Sequence, residues 1–85
     1  MQTRFTLRQL EYLVAVGRTG SITMAASQLS VSPPSISTAI SQLEMEFGLP
    51  LFVRKHAQGM ALTPSGRELS RQAARVLEAA KGLSN

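Results

Sequence analysis

The segment SITMAASQLSVSPPSISTAISQLEMEFG, residues 21–48, determines the fold that we predict. Two helix-forming stretches are separated by a short break at residues 30–32, and each stretch follows a serine that can cap it. Ala25 and Ala26 in the first stretch are small, so that a second helix can approach closely. Pro33 stands at the first position of the second stretch, where its missing N–H is harmless. The pattern is typical of a helix-turn-helix.

The flanking sequence adds a helix before this segment and a hairpin after it. Thr6 and Gln9 have the spacing of a capping box, which predicts a helix from residue 7. Residues 51–53 and 60–62 are short runs that favour β-structure, and they enclose a polar, basic tip. We therefore predict a mainly α fold: a winged helix-turn-helix, made of a three-helix core and a small β-hairpin wing, followed by a long helix.

The last helix is predicted from the cap and first-turn proline at Thr63-Pro64. Its apolar residues follow a 4-3-4-3 spacing, which indicates a narrow dimer seam and not a broad core face. The seam residues are Leu69, Ala73, Val76, Ala80 and Leu83. A separate stripe of Arg67, Arg71 and Arg75 is interpreted as a solvated face. We thus divide the chain into a winged helix-turn-helix unit at residues 5–62 and a linker helix at residues 63–85.

Composition excludes several classes of protein. The chain has 85 residues, enough for one small domain, and its 44% hydrophobic and 16% charged content argues against disorder. It has no Cys, no Asp and a single histidine, His56, so we expect no catalytic residues, no metal site and no cofactor. The longest apolar run, residues 13–17, is too short to cross a bilayer, and we predict no membrane segment.

The charge distribution indicates a polyanionic partner, with a solubilising surface as the alternative. The net charge is +4, and all of this excess lies after residue 49. No lysine or arginine occurs between Thr19 and Val53, so the second helix of the helix-turn-helix carries no cation. Long-range attraction to a polyanion would therefore come from residues outside that helix.

Many short motifs match one family at the family's own spacing. The matching residues are Leu7-Arg8-Gln9-Leu10, Gly20-Ser21, Ala25-Ala26, Leu29, Ser32, Pro34, Ser37, Ile40, Leu43-Glu44, Gly48, Leu51-Phe52, Arg54, Leu62-Thr63 and Gly66. On these residues the chain resembles the N-terminal DNA-binding domain of LysR-type transcriptional regulators. The resemblance implies a bacterial, cytoplasmic protein that binds double-stranded operator DNA as a homodimer through the linker helix.

The family normally continues into a larger effector-binding domain, which we expect to be absent from this fragment. A small-molecule effector would then act only through that domain, and the full-length protein is expected to form a higher oligomer. The sequence itself does not give the operator, the effector or the direction of regulation.

The resemblance places the recognition helix, residues 33–47, in the major groove and the wing, residues 54–59, on the adjacent backbone or in the minor groove. Hydroxyls and helix N-terminal amides are expected to hold phosphates. The Thr38 methyl and Pro34 would contact thymine methyls, and Gln42 would pair with adenine. The complete set of expected DNA-binding residues is Arg8, Ser21, Thr23, Ser32, Pro33, Pro34, Ser35, Ser37, Thr38, Ser41, Gln42, Arg54, Lys55 and His56.

Some positions depart from the family or have a second interpretation. Pro33 stands where the family usually has glutamine, and Thr38 and Met24 replace residues that are often long and polar. Arg54 has an equally weighted structural role, in which it pairs with Glu44. The alternative function is a protein-interaction module that binds no DNA and uses its last helix to pair with a partner. The uncharged recognition helix favours that alternative.

Overall fold

A computed structural model describes residues 4–55 and 59–83 of the chain. The elements in chain order are α1 (Leu7–Thr19), α2 (Ile22–Leu29), α3 (Pro33–Phe47), β1 (Phe52–Arg54), β2 (Met60–Leu62) and α4 (Pro64–Gly82). β1 and β2 form an antiparallel hairpin in which Val53 lies opposite Ala61. The predicted fold, a three-helix core with a small hairpin wing and a long final helix, is confirmed.

Local caps fix where the helices begin and end. Thr6 and Gln9 form the predicted capping box at the start of α1. The side chain of Ser21 caps α2, and that of Ser32 caps α3. Between these two helices Ser30 adopts φ 58°, a left-handed conformation that turns the chain sharply. The break predicted at residues 30–32 is therefore a real reversal of direction.

The hydrophobic core lies where α1, α2 and α3 meet. Its fully buried large side chains are Leu13, Val16, Ile36, Leu43 and Leu51. Ala25 and Ala26 are also buried, as expected for positions where a neighbouring helix approaches closely. Phe47, at the end of α3, is 36% exposed and packs on Phe5 with ring centroids 5.6 Å apart. It closes the end of the core and does not lie within it.

α4 packs along α1 and shares the same core. Ala73 is only 2% exposed and belongs to the core cluster, and Leu69, Ala74 and Leu77 pack against that cluster. The face that α4 uses inside the chain is therefore broader than the narrow seam expected from the 4-3-4-3 spacing. Sequence spacing could not distinguish the two because neighbouring arcs of one helix carry both sets of apolar residues.

Candidate nucleic-acid interface

The outward face of α3 carries small polar groups and prolines. Pro34, Ser35, Thr38 and Ser41 are exposed, while Ser37 is partly buried. The opposite face is anchored in the core by Ile36, Ile40 and Leu43. Because α3 is held along its whole length by buried aliphatic side chains, its polar face is presented to a ligand as a rigid surface.

The N-terminus of α3 differs from the sequence-based expectation. The first two positions are Pro33 and Pro34, which have no N–H. The N–H of Ser35 already donates to Ser32, to its carbonyl oxygen at 3.1 Å and to its hydroxyl at 3.3 Å. Backbone amides at this end of α3 are thus not available for phosphate. The hydroxyls of Ser32 and Ser35, 2.8 Å apart, are the groups that remain there.

The N-terminus of α2 retains free amides. Ser21 caps it by accepting from the N–H of Met24 at 3.1 Å, and the first intrahelical bond runs from Ala25 N–H to the Ser21 carbonyl at 3.0 Å. The N–H groups of Ile22 and Thr23 precede that bond and have no intrahelical acceptor. These two amides, with the exposed Thr23 hydroxyl, can therefore hold a phosphate without a formal positive charge.

A trough between α1 and α3 brings a cation to one side of the polar face. It is lined by Arg8 and Tyr12 from α1 and by Pro34, Thr38 and Gln42 from α3. The neighbouring Tyr12 side chain raises the pKa of Arg8. Arginine is charged at neutral pH in any case, so an exposed guanidinium lies beside α3, where it can contact the DNA backbone.

The wing brings a second cation to the other side of α3. Arg54, at the end of β1, lines a small pocket together with Ser37 and Ser41 of α3. Lys55 follows, and its backbone N–H donates to the Gly59 carbonyl at 2.7 Å across the hairpin tip. Both side chains are exposed. His56 and Gln58 of the predicted wing lie outside the described residues.

The proposed pairing of Arg54 with Glu44 is wrong. The Glu44 carboxylate accepts from the backbone N–H groups of Leu51 and Phe52, at 2.8 Å and 3.3 Å. Across residues 4–55 and 59–83, the ion pairs are Glu68 with Arg71 and Glu78 with Lys81, both within α4. Glu44 therefore ties the end of α3 to the wing, and Arg54, which lines the same small pocket, forms no ion pair within the described residues.

Electrostatically, the site is an uncharged face of α3 between two cations, and the acidic residues of this helix, Glu44 and Glu46, lie near its C-terminal end. Arg8 lies on the α1 side of α3 and Arg54 on the wing side, while α3 itself has no lysine or arginine. Such an arrangement can attract a polyanion from both flanks and present uncharged donors, acceptors and methyl groups in between. In the described part of the chain, no three His, Cys, Asp or Glu side chains come together as metal ligands would.

Gln9 is a site residue that sequence reasoning missed, because the capping box already explained it. Its Nε2 donates to Oε1 of Gln42 on α3 at 2.8 Å, although the two residues are 33 positions apart. No local pattern signals this contact. Only the packing of α1 against α3 brings the two side chains together.

The predicted dimer seam is divided by the fold. Ala73 is buried against the chain's own core, and Leu69 and Ala80 are partly buried. Val76 and Leu83 are 45% and 90% exposed. An apolar groove lined by Phe47, Leu49, Pro64 and Leu69 opens at the same edge of α4. The seam is thus partly an intramolecular contact and partly an uncovered apolar edge.

Arg67, Arg71 and Arg75 lie exposed on α4. Arg71 contacts Glu68, whose pKa is lowered mainly by a hydrogen bond from Gln72 and also by the charge of Arg71. Within the described residues, no helix is both long and apolar enough to cross a membrane.

Comparison with known proteins identifies the relatives of the chain. The family model described as "bacterial regulatory helix-turn-helix protein, lysR family" matches residues 7–67. The probable cat1 operon transcriptional activator of Acinetobacter lwoffii is 44% identical over 71 residues, which cover 84% of this chain and 23% of that protein. The chain therefore spans about a quarter of that relative's length.

Two solved complexes have the same fold. The complex of the CbnR DNA-binding domain with DNA matches with a TM-score of 0.88 and 36% identity, over 94% of this chain and 91% of that one. The complex of the BenM DNA-binding domain with benA site 1 DNA matches with a TM-score of 0.85 and 32% identity, over 94% and 89%.

Proposed function

Since this chain belongs to the lysR family of bacterial regulatory helix-turn-helix proteins, we propose that it binds specific double-stranded DNA as the DNA-binding domain of a transcriptional regulator. The observation that carries this proposal is the uncharged, rigidly held face of α3 between Arg8 and Arg54. The likeness of the chain to two DNA-binding domains whose structures were solved in complex with DNA supports the same function. The relatives that match are named as transcriptional regulators, which points away from an enzyme.

In this proposal α3 enters the major groove and its neighbours hold the backbone. Pro34, Thr38 and Ser41 face the base edges, because they are exposed on the side opposite the core. Arg8 holds a phosphate on one flank, and Arg54 and Lys55 hold the backbone or minor groove on the other. The two α2 amides, from Ile22 and Thr23, take a further phosphate.

Two copies of the chain would join through α4. The exposed edge formed by Val76 and Leu83 is apolar, and the groove containing Phe47, Leu49 and Leu69 extends it. Burying such an edge against a second copy is favourable at about 25 cal/mol per Å². A symmetric dimer also presents two recognition helices to two half-sites. Residues 5–62 would then form the reading unit and residues 63–85 the linker helix, whose first half also completes the core.

We infer a location in the bacterial cytoplasm, because the proposed partner is operator DNA. A small-molecule effector, implied by the family resemblance, would bind outside these 85 residues, and a higher oligomer would need the longer protein. Neither is required for the DNA contacts proposed above.

Selection from a randomised double-stranded DNA library, followed by binding titrations at several salt concentrations, tests the proposal. We expect one enriched sequence in which a single base change lowers affinity by about 1–3 kcal/mol. Log affinity should fall linearly with log salt, by about 0.9 for each phosphate neutralised. Recovery of a folded protein that enriches no sequence would contradict the proposal and favour the interaction module. The absence of lysine and arginine from α3 and the apolar groove beside α4 are the observations in favour of that second function.

A further inference from the structure

A chain of hydrogen bonds connects the N-cap of α1 to the proposed reading face of α3. The backbone N–H of Thr6 donates to Oε1 of Gln9 at 2.9 Å, and the N–H of Gln9 returns a bond to the Thr6 hydroxyl at 3.1 Å. Nε2 of Gln9 then donates to Oε1 of Gln42 at 2.8 Å. Gln42 lies one turn after Thr38, on the edge of the α3 face that borders the trough with Arg8.

The direction of this chain follows from its first member. A glutamine amide has an acceptor oxygen and two N–H donors, whereas a backbone N–H can only donate. The N–H of Thr6 therefore requires the oxygen of Gln9, which turns the Gln9 nitrogen towards α3. That nitrogen can in turn meet only an acceptor, so Gln42 must present its oxygen to Gln9. The amide N–H groups of Gln42 are then the groups that remain for a ligand.

We propose that Gln9 is a positioning residue that makes Gln42 a hydrogen-bond donor towards DNA, and that Gln42 thereby selects guanine. Guanine offers two adjacent acceptors in the major groove, N7 and O6, whereas cytosine offers a donor, its N4 amino group. The inference rests on the proposed function. It differs from the sequence-based expectation of adenine, because a bidentate pair with adenine would need a second hydrogen bond to the Gln42 oxygen that Gln9 already contacts, whereas guanine is met by the amide N–H groups alone.

Contact with DNA should strengthen this arrangement. Gln42 is exposed in the free protein, so water competes for its amide. When DNA covers the trough it excludes that water, and hydrogen bonds in a chain polarise one another. The order of donors and acceptors that the Thr6 N–H determines is then kept through Gln9 and Gln42 as far as the base edge.

Three variants of the 85-residue chain test the proposal. Gln9→Glu keeps an acceptor for Thr6 N–H, since glutamate is the usual third residue of a capping box. A carboxylate has only acceptors, so Gln42 must reverse and present its oxygen to DNA. Gln9→Met removes both hydrogen bonds and leaves Gln42 free to turn either way. Gln42→Ala identifies the base position that Gln42 reads. Gln28→Glu, on the exposed surface of α2, is the control for the added charge.

Each protein is put through selection from the randomised duplex library, and the affinity ratio of guanine to cytosine is measured at the position that Gln42→Ala relaxes. We expect the wild-type chain to favour guanine by about two- to tenfold, the range of one net hydrogen bond. Gln9→Glu should invert the ratio, Gln9→Met should bring it close to one, and Gln28→Glu should leave it unchanged. Thermal melting by circular dichroism verifies that each variant is folded.

Two results would overturn the inference and leave the proposed function standing. In one, Gln42→Ala relaxes no position although the wild-type chain enriches a sequence. In the other, Gln42→Ala relaxes a position but neither Gln9 variant changes the ratio there. If the folded wild-type chain enriches no sequence at all, the proposed function fails, and this inference fails with it.

Discussion

Replacing Gly66 with alanine measures how closely α4 packs against Leu51, the residue before β1. Gly66 is the third residue of α4, and its backbone lies against that of Leu51. A Cβ added at Gly66 would lie 2.0 Å from the Leu51 carbonyl oxygen and 2.9 Å from its carbonyl carbon, where ordinary contacts begin at 3.4 Å. The clashing atoms belong to the backbone, so no side-chain rotation relieves the overlap.

The size of the loss in stability follows from the hydrogen bonds of Leu51, whose backbone must move to make room for the added Cβ. The Leu51 carbonyl accepts from Thr63 N–H at 3.0 Å, and the Leu51 N–H donates to Glu44 at 2.8 Å. Overpacking costs about 1–3 kcal/mol, and each weakened hydrogen bond costs about 0.5–1.5 kcal/mol. The better helix propensity of alanine returns less than about 1 kcal/mol. We expect Gly66→Ala to lower the free energy of unfolding by about 2–5 kcal/mol, which corresponds to about 10–30 °C in Tm for a domain of this size.

Urea titration followed by circular dichroism measures this loss. Gly82→Ala is the matched control, because Gly82 lies in the last turn of the same helix and a Cβ there meets no atom within 4 Å. The control should change stability by less than about 1 kcal/mol, in the stabilising direction if at all. If the free energy of unfolding of Gly66→Ala lies within about 0.5 kcal/mol of the wild-type value, the reasoning is refuted, since α4 can then move away from Leu51 at little cost.

Three further predictions concern the proposed DNA complex and the dimer. Lys55→Ala should weaken binding to all duplexes alike and reduce the slope of log affinity against log salt by about one unit in titrations, whereas an unchanged slope would mean that the wing does not touch the backbone. Thr38→Ala should lose about 1–3 kcal/mol at one base position and almost nothing on nonspecific DNA, and a uniform loss across single-base operator variants would place Thr38 on a phosphate. Val76→Glu should abolish dimerisation in sedimentation equilibrium without unfolding the monomer, because Val76 is 45% exposed in the monomer. Val76→Ala should weaken the dimer far less. A wild-type chain that stays monomeric at high micromolar concentration would contradict the proposed dimer seam.

The elements that sequence predicts well are those fixed by neighbouring residues. Ser32 and Pro33 determine where α3 begins, and Gly48, with φ 67°, determines where it ends. Thr63 and Pro64 do the same for the start of α4. Each of these signals acts over three or four residues, so it does not depend on how the rest of the chain packs. The helix-turn-helix could therefore be placed correctly before any packing was known.

The contacts that sequence reasoning missed or assigned wrongly are made between different elements of the fold. Glu44 has an arginine within reach in the sequence pattern, but two backbone N–H groups of the following strand take its carboxylate. Gln9 caps its own helix and also bonds Gln42, which no spacing rule connects to it. Ala73 has the spacing of a dimer seam, yet α1 covers it within the same chain. In each case one side chain has two suitable partners, and only the tertiary arrangement decides between them.

The cations of the proposed site lie beside the reading face and not on it, and this separation affects how the protein would distinguish DNA sequences. A recognition helix that carries arginine gains affinity from every duplex, because the same charge that reads guanine also attracts phosphate. Here the cations, Arg8, Arg54 and Lys55, lie beside α3, and the proposed reading face of α3 exposes hydroxyls, a threonine methyl and one amide. Neutral groups of this kind contribute little to nonspecific attraction, so discrimination depends on their orientation. In our proposal Gln9 fixes the orientation of Gln42 through a hydrogen bond, and this is how a reading face without charge would distinguish one base from another.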